Sequence, residues 1–281
     1  MTVVTQASEL RAVVAQRGRP RVLVPTMGAL HDGHLALLRR AKELAGPEGT
    51  VVVSIFVNPI QFDRAADLAA YPRPLAADLA VCREAGVDLV FAPEAASMYH
   101  ADRSVTVTES LLSRGLCGAA RPGHFDGVCT VVLKLFLLSG CEMAVFGEKD
   151  FQQLAVIRRM VRDLDVPVTL IGHPTVREAD GLALSSRNVR LSEAQRADAP
   201  RLRRSLLAAQ AAFSSGIRAA AALIDTARQG IAASALARIE YLSLIDEESL
   251  QAVARVERPA VLATAVFYGE VRLIDHVRLE P

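Results

Sequence analysis

The most constraining feature of this chain is a short segment in which an apolar strand passes through a glycine turn into a helix. Aliphatic residues occupy positions 22–24, and residues 25–34 continue as PTMGALHDGH. The positions that follow mix leucines with charged residues, as an amphipathic helix does when one of its faces covers a sheet. The segment therefore predicts a strand, a tight turn and a helix that packs on a sheet.

Two histidines lie where the predicted helix begins. His31 and His34 are three residues apart, so they share one face of the first helical turn. Unpaired backbone N–H groups and the positive end of the helix dipole attract anions to such a turn, and two imidazoles would add directed donors. This arrangement favours a phosphate chain whose negative charge grows during a reaction. The alternative is that the histidines only cap the helix or fill a polar gap.

The spacing disfavours other sites that use histidines or glycines. A zinc-binding helix normally carries its histidines four residues apart with a glutamate base, and no further cluster of cysteine or histidine has ligand spacing. The turn matches neither the dinucleotide pattern G-x-G-x-x-G nor the Walker pattern G-x-x-x-x-G-K-[ST]. We therefore predict no protein metal ligands, and any phosphates must be bound in another way.

Composition restricts the partners and the compartment. The chain has 281 residues, is 51% hydrophobic and has a formal net charge of +1, whereas nucleic-acid-binding proteins are usually more basic. We expect small-molecule partners and no nucleic acid. We also expect no membrane association, because no apolar run reaches the length of a span and the first residues lack a signal-peptide pattern. Four scattered cysteines without paired spacing indicate reduced thiols and the cytoplasm.

A second apolar segment, residues 50–57, suits the buried centre of a parallel sheet. It leads into a polar segment that includes Gln61, at the carboxyl end of the strand, where open α/β sheets bind ligands. The amide of Gln61 can donate to one substrate oxygen and accept from another without adding charge beside a triphosphate. The alternative is an ordinary polar residue at the end of a strand.

A third segment, residues 143–154, repeats the pattern of strand, glycine turn, polar cluster and helix. Gly147 allows the backbone to approach a nucleotide, Lys149 offers a compact cation for phosphate, and Asp150 can accept from ribose hydroxyls. Gln153 lies on the same helical face as Asp150. A plain helix cap with an exposed ion pair is the alternative.

Between these segments, residues 105–108 predict a short strand and residues 128–138 predict a buried helix. The loop between the two contains glycines, a proline, Arg121 and His124, which is a composition that brings backbone and charge close to a ligand. Arg121 and His124 are candidates for the substrate site, although Arg121 could equally be a solvated charge.

The composition changes after residue 192 and predicts a separate domain. Alanine and arginine become frequent, which predicts helices over residues 193–213 and 219–232. Strand-like runs follow at residues 239–245, 260–267 and 271–275 and predict a small antiparallel sheet in an α+β domain. The arginines lie among acidic residues and are expected to form a solvated surface.

Taken together, these motifs resemble one enzyme family. A His-x-Gly-His phrase after a first strand is similar to the nucleotidyltransferase superfamily of class I aminoacyl-tRNA synthetases and small adenylyltransferases. The whole phrase PTMGALHDGH resembles the pantothenate synthetases, the ligases that join pantoate to β-alanine. FVNPIQF at residues 56–62, GEKD at 147–150 and GLALSSRN at 181–188 follow in the family's order, and the resemblance covers residues 25–275.

The resemblance implies both architecture and activity. It implies an α/β fold, with a Rossmann-like domain over residues 1–177 that binds ATP and pantoate and a smaller α+β lid domain over residues 178–281. It implies an AMP-forming ligase of pantothenate, the coenzyme A precursor, that works through a pantoyl adenylate and releases pyrophosphate. ATP is then a substrate, Mg²⁺ is expected on its phosphates through phosphate oxygens and water, and a homodimer is implied.

The resemblance also implies roles for individual residues. The implied catalytic residues are His31, His34, Lys149 and Arg187. The implied ATP-binding residues are Met27, Gly28, His31, His34, Gly147, Lys149, Asp150, Val176, Leu184, Ser185, Ser186 and Arg187. Gln61 and Gln153 are implied to bind pantoate, and Gln61 also β-alanine. Within this set, the main chain of Val176 is expected against adenine, and the Ser-Ser-Arg run around the β- and γ-phosphates.

One departure and two alternatives remain open. Asp63 stands where the family usually has glycine, so the segment after it can differ in order or motion. An adenylyltransferase that acts on a phosphorylated acceptor would need additional cations for the second phosphate. A nucleotide-binding regulatory module without turnover is the other alternative, against which the histidine pair and Lys149 argue.

Overall fold

The computed structural model describes all residues from Met1 to Pro281, and the chain divides into two compact units. Unit 1 comprises Met1–Leu111, Arg121–Glu148 and Gln153–Pro174. Unit 2 comprises Leu112–Ala120, Lys149–Gln152 and Thr175–Pro281. Each unit contains one sheet, so each has its own framework.

Unit 1 is built on a parallel sheet of six strands. The strands are β1 (Thr2–Val4), β2 (Arg21–Thr26), β3 (Thr50–Ile55), β4 (Leu89–Phe91), β5 (Met143–Gly147) and β6 (Thr169–His173). The helices are α1 (Ala7–Ala15), α2 (Asp32–Ala45), α3 (Ala65–Ala70), α4 (Leu75–Glu84), α5 (Ala95–Met98), α7 (His124–Ser139) and α8 (Phe151–Asp163), the last of which belongs to unit 1 from Gln153 onward.

The sheet of unit 1 has the order β1-β4-β3-β2-β5-β6. Its centre is apolar on both faces: Val24 of β2 lies beside Val53 of β3 on one face, Leu23 lies beside Val52 on the other, and all four are buried. Leu38 and Ala41 of α2 are also fully buried and belong to the same cluster. The predicted α/β fold with a parallel sheet is confirmed, because continuous aliphatic runs are stable where helices cover both faces.

Unit 2 contains an antiparallel sheet with helices packed on it. Its strands are β7 (Ala237–Asp246), β8 (Ala260–Tyr268) and β9 (Val271–Leu279), and its helices are α6 (Leu116–Ala120), α9 (Glu193–Asp198), α10 (Arg201–Ser214) and α11 (Ala220–Ala232). Leu206 of α10, Leu223 of α11 and Leu262 of β8 are fully buried in one core cluster. The predicted small antiparallel α+β domain is confirmed.

Three secondary-structure predictions were wrong or incomplete. Residues 105–108 form no strand: no neighbouring strand pairs with the segment, and the N–H of Val107 donates to the hydroxyl of Thr130 instead. The predicted helix over residues 193–213 is two helices, because Pro200 lacks an N–H donor and begins α10 anew. The short strand β1, which pairs with β4, was not predicted.

The helices and the cysteines were also the subject of predictions, on membrane spans and on reduced thiols. None of the helices combines the length and apolar character needed to cross a bilayer.

All four cysteines are free. Burial, together with nearby acidic groups, raises the pKa of Cys82 to about 11 and that of Cys129 to about 12, so these thiols stay protonated near neutral pH.

Candidate active site

The histidine turn lies at the carboxyl end of β2, in the middle of the sheet of unit 1. The chain proceeds from β2 to β3 and β4 on one side, whereas β5 and β6 lie on the other. In open α/β sheets, the carboxyl ends of the strands at such a reversal border a crevice in which ligands bind. The turn after β2 and Gly147 at the end of β5 therefore lie at the edge where a nucleotide is expected.

His31 and His34 form a reciprocal cap at the start of α2. Nδ1 of His31 accepts a hydrogen bond from the N–H of Gly33 at 3.1 Å, and Nδ1 of His34 accepts one from the N–H of His31 at 3.3 Å. The two ring centroids are 4.1 Å apart. Because Nδ1 is the acceptor in both rings, each neutral imidazole carries its proton on Nε2.

This cap reconciles the two interpretations of the histidine pair. Capping uses the Nδ1 edge of each ring, and the Nε2–H donor is on the opposite edge. The helix dipole favours an anion at the same end of α2. The cap therefore fixes the tautomer and orientation of two N–H groups that can donate hydrogen bonds to an anionic phosphate.

Gln61 is almost fully buried and is held next to Met27. Its Nε2 donates to the Sδ of Met27 at 3.1 Å, and its Oε1 accepts from Nδ2 of Asn58 at 2.9 Å. Thioether sulfur is a weak acceptor, so the bond to Met27 can be exchanged at little cost for one to a substrate oxygen. The structure thus brings two of the predicted site residues into direct contact.

The residues that orient Gln61 were not predicted from the sequence. Asn58 is 1% exposed, and its Oδ1 accepts a hydrogen bond from the hydroxyl of Tyr99 at 2.8 Å. Burial raises the pKa of the Tyr99 phenol, which keeps it protonated as a donor. Asn58 also donates to the carbonyl of Gly127, where a Cβ would lie 2.6 Å from Cα of Gln61. The position of Asn58 three residues before Gln61, in the same motif, was the available signal.

Arg121 and His124 contact the backbone of Gln61. The ring Nδ1 of His124 donates to the carbonyl oxygen of Gln61 at 2.8 Å, and Nη2 of Arg121 donates to the same oxygen at 3.2 Å. Nη1 of Arg121 lies 3.3 Å from Nε2 of His124. Arg121 is therefore not a solvated charge, and both residues help to fix the segment that carries Gln61.

Asp63 forms an ion pair with Arg121. Its Oδ1 accepts from Nε of Arg121 at 3.0 Å, and both side chains are mostly buried. Burial raises the pKa of Asp63, but the hydrogen bond from Arg121, a backbone hydrogen bond and the charges of Arg121 and Arg64 together lower it by more, so the net pKa lies below its usual value. The carboxylate thus stays ionised near neutral pH and ties the start of the segment before α3 to the residues just before α7.

Lys149 and Asp150 belong to the part of the chain that follows β5. Nζ of Lys149 lies 3.8 Å from Oδ2 of Asp150, and the Asp150 side chain is 49% exposed. An ion pair of this length beside solvent is weak, so it contributes little to the stability of the fold. Gln153 follows on α8 and is half-buried, whereas its neighbour Gln152 is buried.

In unit 2, the segment with the predicted adenine and phosphate contacts is closed by hydrogen bonds. The N–H of Leu184 donates to the carbonyl of Val176 at 3.0 Å. Arg177 donates from both terminal nitrogens to the carboxylate of Asp275, each at 2.8 Å, and from Nη1 to the carbonyl of Gly181 at 3.0 Å. A bidentate pair of this kind fixes geometry as well as charge, so Val176 and Leu184 are held together.

The Ser-Ser-Arg run follows this closed loop and immediately precedes a short 3-10 turn at Asn188–Arg190. The N–H of Arg187 donates to Oγ of Ser185 at 3.3 Å. Asn188 donates from Nδ2 to Oε1 of Glu178 at 3.0 Å and to the carbonyl of Ala183 at 3.1 Å. Ser185, Ser186 and Arg187 thus follow a loop that hydrogen bonds hold in place. The residues that make these hydrogen bonds, Arg177, Asp275 and Asn188, were not predicted.

The comparison with known proteins gives a consistent result over the whole chain. A sequence model of the family described as pantoate-beta-alanine ligase matches residues 2–278. The chain is 50% identical over 288 aligned positions to the pantothenate synthetase of Akkermansia muciniphila, and the match covers 99% of this chain and 100% of that protein.

Two solved structures are similar to the chain over nearly its full length. The pantothenate synthetase of Thermus thermophilus has a TM-score of 0.93 and 46% identity, with 100% of both chains covered. The pantoate-beta-alanine ligase of Francisella tularensis, determined in complex with beta-gamma ATP and beta-alanine, has a TM-score of 0.80 and 30% identity and covers 99% of this chain and 97% of its own.

Proposed function

The chain belongs to the pantoate–β-alanine ligase family, and from that premise we propose which of its residues carry out the reaction. The enzyme condenses pantoate with β-alanine at the expense of ATP. The carboxylate of pantoate attacks the α-phosphate of ATP, which forms pantoyl adenylate and releases pyrophosphate. The amine of β-alanine then attacks the acyl carbon, and AMP leaves as the amide forms. Neither step requires a protein nucleophile, so the enzyme acts by alignment and by stabilising charge.

The observation that carries the proposal is the reciprocal cap at the carboxyl end of β2. It fixes two imidazole Nε2–H donors at the start of α2, where the helix dipole also favours negative charge. Fixed donors aimed at charge that develops in the transition state are a large catalytic term. We assign to the phosphates the residues His31, His34, Lys149, Ser185, Ser186 and Arg187.

The other nucleotide contacts follow from the resemblance and from the local geometry. Gly147 ends β5 at the same sheet edge as the histidine turn, and apart from its chain neighbours no atom lies within 4 Å of the place where its Cβ would be. A ligand can therefore approach its backbone. The hydrogen bond between Leu184 and Val176 presents the main chain of that segment in a fixed conformation. The proposed further ATP contacts are Met27, Gly28, Gly147, Asp150, Val176 and Leu184.

Pantoate is assigned to Gln61 and Gln153, and β-alanine to Gln61. The Gln61 amide is pre-oriented by Asn58, and its donor group faces only a weak thioether acceptor. A hydroxyl or carboxylate oxygen of the substrate is a better acceptor than sulfur. The amide can therefore bind substrate without the rotamer search that an exposed side chain would require.

Gln61→Ala is expected to raise the KM for pantoate about tenfold, since a lost hydrogen bond is worth about 1 kcal/mol or slightly more. Steady-state kinetics with pantoate as the varied substrate test this. Gln210→Ala is a matched control, because Gln210 donates to a backbone carbonyl within unit 2 and has no proposed substrate contact. An unchanged pantoate KM in a folded Gln61→Ala protein would remove Gln61 from the substrate site.

Magnesium is proposed to bind through the phosphates of ATP. Mg²⁺ on ATP is typically held by phosphate oxygens and water, so it needs no dedicated set of protein ligands. When bound, Mg²⁺ would neutralise charge on the triphosphate. The residues of the chain itself then orient the phosphates and donate to them.

The reaction is tested by mixing the purified protein with ATP, Mg²⁺ and pantoate, with and without β-alanine. AMP and pantothenate are expected together only when β-alanine is present, and omission of Mg²⁺ with a chelator should abolish both. AMP retained in a product with a phosphorylated acceptor would indicate an adenylyltransferase instead. ATP that is bound but never cleaved would indicate a regulatory module.

We also propose a cytoplasmic homodimer. The free thiols, three of them buried, suit a reducing compartment, and the near-neutral charge suits small-molecule partners and not nucleic acid. Val105 is 78% exposed, so it offers apolar surface to a second copy. Light scattering on the purified protein is expected to give twice the chain mass of 30.1 kDa, and a monomer at micromolar concentration would contradict the dimer.

A further inference from the structure

The turn that carries the histidines contains two consecutive residues in the left-handed backbone region. Gly28 has a φ of 79° and Ala29 a φ of 51°. Glycine adopts this region readily, whereas a residue with a Cβ is disfavoured there. Ala29 keeps this conformation only if surrounding contacts enforce it. The local sequence alone therefore does not fix the turn between β2 and α2.

A buried carboxylate from α4 supplies the contacts. Oδ2 of Asp78 accepts from the N–H of Ala29 at 2.9 Å, and Oδ1 accepts from the N–H of Leu30 at 2.8 Å. Asp78 is 2% exposed and lies in the first turn of α4, far from these residues in the sequence. Hydrogen bonds to an ionised carboxylate are short and strong, so the two bonds together clamp the turn.

The close packing of the turn on the carboxylate is visible at Gly28. A Cβ added there would lie 2.7 Å from Oδ2 of Asp78 and 3.0 Å from Cγ2 of Ile55. Such a Cβ would push the carboxylate away from the N–H groups that it binds. Gly28 is thus required both by its backbone conformation and by the approach of Asp78.

The backbone donors of the turn form an ordered series. The N–H of Gly28 donates to the hydroxyl of Thr26 at 3.2 Å, the next two N–H groups donate to Asp78, and the N–H of His31 donates to Nδ1 of His34. The clamp therefore ends at the residue where the histidine cap begins. Any displacement of the turn would move the donor that fixes the His34 ring.

We propose that Asp78 is a positioning residue for adenylate formation. Both of its carboxylate oxygens bind the turn, and Asp78 acts through that turn by setting the orientation of the His31 and His34 rings. The inference rests on the proposed function of the two histidines. The geometry of the two rings then depends on an acidic residue of a different helix.

The chemistry of the site requires a carboxylate and not merely a polar residue. An amide in place of Asp78 has one acceptor oxygen and one NH₂ group, whereas the turn presents two N–H donors at this point. Asp78→Asn therefore loses one hydrogen bond and places two donors against each other. The substitution changes almost no volume, so its effect reports the orientation of the turn.

Asp78→Asn is the test, with Asp88→Asn as the matched control. Oδ2 of Asp88 also accepts a backbone N–H, that of Val51 at 2.8 Å, and lies 3.1 Å from Nζ of Lys42, but this carboxylate is near the amino end of β3, opposite the site. We measure kcat, the KM for β-alanine, the midpoint of thermal unfolding and the ¹⁵N NMR signals of the histidine rings.

The expected result for Asp78→Asn is a fall in kcat of about 10²-fold, because small misplacements of catalytic groups have effects of that size. The KM for β-alanine should change little, and the ring signals of His31 and His34 should lose the pattern of a single Nε2–H tautomer. Asp88→Asn should lower the unfolding midpoint and leave kcat and those ring signals at their wild-type values. If Asp78→Asn does not fold, Asp78→Glu, which keeps the charge but displaces it, is measured in the same way.

Two results would overturn the proposal. One is wild-type kcat and unchanged His31 and His34 signals in a folded Asp78 variant. The other is an equal loss of kcat in Asp88→Asn, which would mean that the loss of activity results only from lower stability. A parallel His34→Asn protein separates this proposal from the proposed function: if it is also fully active, the role of the histidine pair fails. If only the Asp78 variant is fully active, the positioning role alone fails.

Discussion

Lys149→Ala is expected to lower the rate of pantoyl adenylate formation by about 10²- to 10³-fold while the protein stays folded, as removal of one charge-stabilising donor typically does. The attack on the α-phosphate transfers negative charge to the departing pyrophosphate, and a compact ammonium group stabilises that charge. The pair between Lys149 and Asp150 is long, at 3.8 Å, and half-exposed on the aspartate side. Its loss should therefore change the free energy of unfolding very little.

The measurement for Lys149→Ala is the single-turnover release of pyrophosphate from ATP in the presence of pantoate. Lys42→Ala is the control, because Lys42 pairs with Asp88 at 3.1 Å in the last turn of α2, at the opposite end of that helix from His31. The control should release pyrophosphate at the wild-type rate. Wild-type turnover in Lys149→Ala would refute the phosphate role of Lys149.

The framework could be predicted where hydrophobic pattern alone decides the structure. Residues 22–24 of β2 and 51–53 of β3 are all aliphatic and almost completely buried, and only a strand covered on both faces buries such a run. The prediction at residues 105–108 was wrong because Val and Thr alternate there without a neighbouring strand to pair with. Strand propensity describes a residue's fit to a sheet, and the sheet has to be present.

The site could be predicted only as far as its residues are close in sequence. His31 and His34 lie within one helical turn, and the structure confirms their shared position at the start of α2. The residues that orient the site come from distant segments: Tyr99 bonds to Asn58, and Asp78 bonds to the turn before His31. Nothing in the periodicity of a single segment encodes such contacts, because they form only when the sheet assembles.

The histidine pair also shows why two interpretations of a motif need not compete. A helix cap and a phosphate donor were alternatives on the sequence alone, but an imidazole has two nitrogens. In the structure, Nδ1 of His31 and of His34 serves the backbone, which assigns the proton to Nε2. The structural role therefore prepares the proposed chemical role.

Because Nδ1 serves the cap and Nε2–H the phosphate, substitutions of His34 are predicted to affect stability and catalysis separately. The oxygen of an asparagine side chain can take the place of Nδ1 and accept the N–H of His31, but asparagine has no donor where Nε2–H was. Alanine loses both functions, and glutamine extends its amide NH₂ farther from the backbone. His34→Asn should thus keep most of the helix cap and lose the phosphate donor.

The expected adenylation rates fall in the order wild type, His34→Gln, then His34→Asn and His34→Ala together, with a loss of about 10²- to 10³-fold in the last two. The unfolding midpoints follow a different order, because only His34→Ala loses the cap, at about 1 kcal/mol. Pyrophosphate release and thermal unfolding of the same protein samples give both orders. If His34→Asn retained wild-type adenylation while His34→Ala lost it, capping would be the only role of His34, and the donor on Nε2 would have no part in the chemistry.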